Sequence, residues 1–271
     1  GSGGVVTAGQ FVLPPPPAGL FYTDVAVGPG GIAAIRSDGQ ITNAPPPPSG
    51  QVYVDVAQGW FHTLALLSDG TAIAWGLNWH GQCNVPPLPS GLSYLKVAAN
   101  RDYSLAIRSD GELLAWGANH SGQCNVAPLP PGVTYTEVAA GNEHALALRS
   151  DGAIAAWGLN DFGQCDVPQL PPGVTYVGVG AGYVHSLAIR SDGQLAGWGC
   201  NGLTACNVPS IPANEVAVKV AAGRYHSVAL LNSGRIIGWG ANGVGQLDLP
   251  PLPSGVVYTC LAACMNSTAA I

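Results

Sequence analysis

The chain has 271 residues, of which 47% are hydrophobic and only 9% charged, with 38 glycines and 23 prolines. Its formal charge of -6, with lysine only at Lys96 and Lys219 and no cluster of cations, excludes a nucleic-acid binder that works by displacing counterions from phosphates. No apolar stretch reaches the roughly 18 residues of a membrane span, and apolar runs that recur along the whole length exclude disorder.

In chain order, residues 1–21 open in the middle of a pattern that the C-terminal end completes. The first unit, from Tyr22 to Val52, keeps Ser37-Asp38-Gly39 but is about ten residues shorter than its successors. Five units of full or nearly full length then start near Tyr53, Tyr94, Tyr135, Tyr176 and Val218. The unit from Tyr135 to Thr175 shows the plan most clearly: four short apolar runs separated by turn residues, the pattern of four antiparallel strands. Strand A is Tyr135 to Ala140, and strand B runs from about His144 to Arg149 after the turn Gly141-Asn142-Glu143. Ser150-Asp151-Gly152 makes the next hairpin, where Asp-Gly favours a tight primed turn. Strand C is Ala153 to Trp157, the segment Gly158 to Gly163 turns the chain, and strand D is Gln164 to Val167. Pro168 to Gly173 leads to the next unit, and no amphipathic helical period of useful length occurs.

The chain ends in half a unit, Tyr258 to Ile271, which reads as strands A and B. Joined to Gly1, it gives Ile-Gly-Ser-Gly-Gly-Val-Val-Thr-Ala-Gly, which aligns without a gap to Leu231 through Gly240. A seventh unit shared by both termini closes a ring and leaves no free sheet edge. The expected fold is all-β, a seven-bladed β-propeller of about 41-residue repeats, forming a single domain over residues 1–271. Its blades fall at 22–52, 53–93, 94–134, 135–175, 176–217, 218–257, and 258–271 together with 1–21.

Trp75, Trp116, Trp157, Trp198 and Trp239 sit 41 residues apart, and a large ring repeated on strand C reads as structural, filling the space between neighbouring sheets. Cys83, Cys124, Cys165 and Cys206 keep the same beat and read as small buried hydrophobes. Equivalent positions in adjacent blades are too far apart for disulfides; Cys200 with Cys206 could bridge locally, while Cys260 and Cys264 begin on one strand. His62, His144, His185 and His226 occur once per unit without a second ligand at close spacing, so each is expected to pack and hydrogen-bond backbone, and no metal site is implied. The Gly-x-Gly-x-x-Gly matches at Gly197 and Gly238 lie at strand-to-strand turns with no helix to receive a pyrophosphate, so no cofactor is implied either. Glu143 beside His144, and Asp102 between Arg101 and Tyr103, are the acidic residues to inspect as acids or bases; both read as loop residues, and the chain reads as non-enzymatic.

Val138-Ala-Ala-Gly141, His144, Leu146-Ala-Leu148, Asp151-Gly152, Trp157-Gly158, Asn160 and Gly163-Gln164 together resemble the regulator-of-chromosome-condensation repeat family. The resemblance covers essentially the whole chain and implies a propeller. Within that family, the short repeats and uniform linkers are similar to those of the secreted bacterial propellers that inhibit β-lactamases, which makes an inhibitory role one option. No signal peptide is visible, and the compartment stays open with secretion slightly favoured.

Comparison of the units separates two faces. On one, Ser-Asp-Gly hairpins and proline-rich linkers repeat with little change; on the other, the A-B and C-D turns differ in every blade. The A-B turns read Trp60-Phe61, Arg101-Asp102, Asn142-Glu143, Tyr183-Val184, Arg224-Tyr225 and Met265-Asn266. The C-D turns read Trp79-His80, His120-Ser121, Asp161-Phe162, Leu203-Thr204 and Gly243-Val244. Aromatic and arginine side chains on a rigid frame are what a recognition surface uses. The expected partner is a protein, bound by a monomer through Trp60, Phe61, Trp79, His80, Arg101, Phe162, Tyr183, Arg224 and Tyr225. A structural or self-assembling repeat protein and a lectin-like propeller binding a glycan or small ligand are the alternatives.

Overall fold

The computed structural model describes residues 6–9, 13–199, 204–251 and 253–271, and their strands form seven antiparallel sheets. We number the blades from Tyr22. Blades 2 to 6 each hold three strands, which in blade 4 are A (Tyr135–Ala140), B (His144–Arg149) and C (Ile154–Gly158). Blade 1 has two, Tyr22–Gly28 and Gly31–Arg36. Blade 7 takes A and B from Leu261–Cys264 and Ser267–Ala270, and its third strand from Val6–Gly9, which pairs antiparallel with Ser267–Ala270. Both ends of the chain therefore share one sheet.

Six of the sheets have three strands where four were expected. The segment Gln164 to Val167 turns on itself: Asp166 N-H donates to the Gly163 carbonyl and Val167 N-H to that of Cys165. Cys165 N-H is claimed by the Asn160 side chain, and Pro168 has no N-H to give. With its donors occupied locally, the segment cannot extend the ladder. The hairpin also differs from expectation. Gly152 N-H closes a turn on the Arg149 carbonyl, and only Gly152, at φ +79°, is left-handed, so Ser150 and Asp151 form an ordinary turn followed by a glycine bulge. A three-residue loop selects that geometry, whereas a primed turn suits two.

Strand B is apolar on both sides because it lies between two neighbouring blades: Ala145, Leu146 and Ala147 are all fully buried. Hydrophobic clusters knit each blade to the next around the ring, and the last joins Cys264 and Ala269 of blade 7 to Tyr22 and Val25 of blade 1. Six of the seven linkers are fastened by the tyrosine that opens the next unit; blade 6 has Ala217 at that place. Tyr176, for example, donates its hydroxyl to the Pro168 carbonyl at 2.7 Å.

A polar clasp reinforces the blade interfaces. Between blades 2 and 3, His62 Nε2 lies 3.0 Å from Ser104 Oγ, which donates to the Gln82 carbonyl at 2.9 Å. Since the serine proton points to that carbonyl, the histidine must carry its own proton on Nε2. Trp116 Nε1 donates to the same carbonyl at 2.9 Å. The pattern recurs at His185, Ser227, Ala205 and Trp239. The histidines thus bond a hydroxyl of the next blade, where sequence alone suggested backbone. Trp157 is 7% exposed and donates to the Gln123 carbonyl. Trp157→Ala removes both packing and hydrogen bond, so thermal or urea denaturation should show a loss of about 3–5 kcal/mol. A loss below about 1 kcal/mol would mean that the site collapses to fill the void.

Candidate functional site

The A-B turns meet around the propeller axis, where backbone bonds tie four of them to the next. Trp60 N-H donates to the Arg101 carbonyl at 3.1 Å, Asn142 to Gly182 at 3.1 Å, Tyr183 to Gly223 at 3.2 Å and Arg224 to Met265 at 2.9 Å. The turn opens on glycine because a side chain there would strike the clasp histidine: a Cβ on Gly141 would stand 2.3 Å from His144 Cε1. Arg101 and Met265 take φ of +35° and +43°, uncommon for residues with a Cβ. Trp60, Asn142, Tyr183, Arg224 and Met265 line one depression of about 10 Å³ at the centre, hardly more than room for a water.

These central side chains also pack on one another. The Arg101 guanidinium lies 5.3 Å from the Trp60 ring centroid, and that of Arg224 lies 5.0 Å from Tyr183 and 5.1 Å from Tyr225. Arg101 pairs with Glu143, whose carboxylate also accepts from Ser121 Oγ at 2.7 Å. Asp102 accepts from Gln82 Nε2 at 3.4 Å and stands 3.8 Å from Arg101 Nε. Both acidic residues singled out in the sequence are therefore engaged in ties between turns.

The C-D turns form an outer circle and are clamped by amides. Asn78 Oδ1 accepts from Cys83 N-H at 2.8 Å and Gln82 Oε1 from His80 N-H at 2.9 Å, while Asn160 and Gln164 do the same for Cys165 and Phe162. The clamp leaves the tip side chains projecting: Trp79 is 80% exposed, Phe162 52% and, on the neighbouring A-B turn, Phe61 53%. His80 and His120 meet edge to face at 5.4 Å. Of the nine residues expected to bind a partner, Phe61, Trp79, His80 and Phe162 stand clear as an outer crescent, whereas Trp60, Arg101, Tyr183, Arg224 and Tyr225 are half-buried in the inner cluster. The turn residue Leu203, and Cys200 with its suggested bridge to Cys206, lie outside the described residues.

Cys83, Cys124 and Cys165 are half-buried rather than core residues, and each thiol points at a carbonyl of its own turn. Burial pushes the Cys124 and Cys165 thiols up to about 11. Cys260 and Cys264 form no disulfide. Among the described residues no group of three or more His, Cys, Asp or Glu is placed to hold a metal ion, and no helix is long and apolar enough to cross a membrane.

One feature escaped sequence reasoning, although its spacing could have shown it. The third residue of strand A reads Asp24, Asp55, Lys96, Glu137, Gly178 and Lys219 in blades 1 to 6, and Cys260, just before strand A of blade 7, is its counterpart there, a charged circle that holds both lysines of the chain. Lys219 Nζ donates to Cys260 Sγ at 3.3 Å, and that thiol donates to Asp24 Oδ1 at 3.2 Å. Confinement raises the Asp55 and Glu137 carboxyls above the usual range, although Lys96 pulls both back. Confinement also opposes the Lys219 charge, but Cys260, Asp24 and Asp55 outweigh it and hold the ammonium above its usual range.

The model of the regulator of chromosome condensation (RCC1) repeat matches residues 53–82, 95–123, 135–164, 176–203 and 217–246, more than half of the chain. The chain belongs to the RCC1 repeat family. The RCC1 matches cover strands A to C of blades 2 to 6 almost in full and, in blades 2, 3, 4 and 6, run into the clamped turn that follows. Among solved structures, human WBSCR16 is 17% identical with a TM-score of 0.75, the match covering 98% of this chain and 99% of that one. Prp20p from Saccharomyces cerevisiae is 22% identical over 89% of this chain and 72% of its own, with a TM-score of 0.70. The CRINKLY WD40 ectodomain of the Arabidopsis thaliana receptor kinase ACR4 is 18% identical over 90% and 89%, with a TM-score of 0.64. At these identities the likeness is one of fold. No curated protein matches the chain by sequence.

Proposed function

We propose that this propeller, acting as one domain and as a monomer, is a non-enzymatic binding module that recognises a protein partner on the face of its A-B and C-D turns. The observation that carries the reading is the crescent of Phe61, Trp79 and Phe162, each at least half exposed, with the turns of Trp79 and Phe162 clamped by side-chain amides. Large aromatic rings held rigidly in water gain apolar burial when a partner covers them and lose little conformational freedom in doing so. The inner cluster, already ordered by its arginine-aromatic stacks, supplies a preformed floor. Prp20p is described as binding Gsp1p and histones, which supports the use of this fold as a protein-binding scaffold. By resemblance to the β-lactamase-inhibiting propellers, a β-lactamase is one partner to try; the turn residues that would decide it are those that vary from blade to blade.

The test is affinity capture on the immobilised propeller beside a Phe61/Trp79/Phe162→Ala version, using both cell extract and culture fluid, with mass spectrometry of the retained proteins. A protein held by the parent and released by the variant is expected. Identical retention on both would overturn this face as the recognition surface.

Self-assembly is the second reading, favoured by Val54, Leu95, Val177 and Val218, each about half exposed at the linker end of strand A in blades 2, 3, 5 and 6. It predicts concentration-dependent mass in light scattering, where the binding module stays monomeric.

A further inference from the structure

Blade 1 is an incomplete copy of its neighbours, and the complete copies show what is missing. Aligned on its hairpin and linker, Ile41 stands where blade 4 has Ile154, and Thr42 where it has Cys165, so the counterparts of Ala155 to Gln164 are absent. Ile41 still pairs with Ile35, and Thr42 N-H donates to the Ala34 carbonyl at 3.2 Å. Asn43, at φ +60°, then turns the chain away. Alternate residues of a strand direct both backbone groups to the same side, so Ile32, two before Ala34, presents its N-H and C=O to an edge that has no neighbouring strand among the described residues. In blade 4 the equivalent residue, Ala145, pairs with Trp157.

The space beside that edge is a cavity of about 360 Å³, within the range of ligand-binding clefts. Three blades line it: Leu13 and Pro14 from blade 7, Ile32 and Ala33 from blade 1, and Thr63 and Trp75 from blade 2. Thr63 and Trp75 occupy the places of Ser104 and Trp116 in the inter-blade clasp, but blade 1 has Gly31 in place of the histidine and lacks the glutamine carbonyl. Among the described residues neither the Thr63 hydroxyl nor Trp75 Nε1 has a hydrogen-bond partner, and Trp75 alone of the five strand-C tryptophans is only half-buried. Blade 2 thus offers the receiving half of a clasp whose other half is missing.

We propose that this gap binds an extended peptide segment of a partner protein by strand addition, antiparallel to Gly31–Arg36, with an aromatic side chain seated in the cavity. The chemistry of the segment follows from strand C of the complete blades: apolar residues, then Ala or Gly, then an aromatic, then glycine, without charge. Such a segment completes the ladder at Ile32, and the carbonyl of a following turn can receive Trp75 Nε1 and Thr63 Oγ1. In blade 4 the tryptophan packs against blade 3, so the aromatic of the incoming strand lies towards blade 7, against Leu13 and Pro14. Main-chain pairing supplies affinity and the cavity supplies selectivity, the division usual when a peptide extends a sheet edge. The argument rests on the internal symmetry of the repeat and is independent of the aromatic crescent.

The probe is a synthetic peptide copying Ala155–Gln164, titrated into the full chain by calorimetry. Saturable binding is expected, weakened tenfold or more when the peptide carries Trp157→Ala. A chain with those ten residues inserted between Ile41 and Thr42 has its gap filled; it should melt higher and bind the peptide at least tenfold more weakly. Hydrogen exchange on the unaltered chain tests the same point if the filled variant does not fold: the peptide should protect amides of Gly31 to Ala34. Absence of saturable binding, equal binding by the filled chain, or protection confined to other blades would each overturn the proposal.

Discussion

Between pH 6.5 and pH 4 the protein is expected to lose several kcal/mol of folding stability, because four clasp histidines stay neutral in the folded chain and take up protons once it unfolds. Burial lowers His62, His185 and His226 to about 4 and His144 to about 3, with His185 adding repulsion at His144 and His226 adding it at His185. At His62 the Asp102 charge works the other way but does not prevail. A depressed histidine pKa means that stability is complete above the unfolded value of 6.5 and falls as pH drops through the window below it. At 1.36 kcal/mol per pKa unit, His62, His185 and His226 are each worth roughly 3 kcal/mol and His144 roughly 5 when the pH has fallen through the whole window. Near pH 5 unfolding should therefore take up close to four protons, giving a steep fall in urea midpoint between pH 7 and pH 4.5. The carboxylates of the charged circle act in the opposite sense: Asp55 and Glu137 are raised, so acid relieves rather than weakens them. The hairpin carboxylates Asp38, Asp69, Asp110 and Asp151 are lowered and lose their contribution only below the ordinary carboxylate range. His185→Gln, which cannot titrate, should flatten the slope by about one proton. A flat profile down to pH 4.5 would show that the clasp histidines are not held neutral.

Replacing Trp79 by alanine is expected to cost about 2 kcal/mol or more of partner binding and to leave the melting temperature where it was. The ring is 80% exposed, so its removal opens no cavity, while the turn beneath it stays clamped by Asn78 and Gln82. Phe61→Ala and Phe162→Ala should behave alike, because both rings are about half exposed. Trp60 and Tyr225 are different. They are half-buried against Arg101 and Arg224, so their loss should lower affinity and stability together. Calorimetric titration against a captured partner, with melting curves for each variant, separates the two groups. If Trp79→Ala binds as the parent does, the exposed ring is not a hot spot and the crescent fails as the carrier of recognition. Glu143→Gln is a further check: it weakens the tie from Arg101 that orients the inner cluster, so it should affect binding less than Trp79→Ala does.

Much of the candidate site was readable in the turns. Trp79, Phe162 and Phe61 sit between turn residues with no apolar neighbour in sequence to cover them, and they are exposed. What the sequence could not say is that Trp60, Arg101, Tyr183 and Arg224 bend inward over the axis. That depends on backbone bonds from one turn to the next, across about 40 residues of chain, and such bonds leave no local trace. Strand D was misjudged for a related reason. Gln164 to Val167 has the apolar content of a strand, but Asn160 and Pro168 withdraw the donors that a ladder needs.

By itself the sequence determined the propeller. The unbroken 41-residue beat of Trp75 to Trp239, and the gapless join of Ile271 to Gly1, allow only a ring of equivalent sheets closed by both ends of the chain, and Val6–Gly9 does pair with Ser267–Ala270. Repetition makes this legible because each unit must bury the same faces against the next, so the pattern is written several times over. Only the tertiary structure decided which variable side chains stand in water, which charges face one another in the charged circle, and where the ring is open. Those properties arise between blades, at distances fixed by the radius of the ring, and no single repeat contains them.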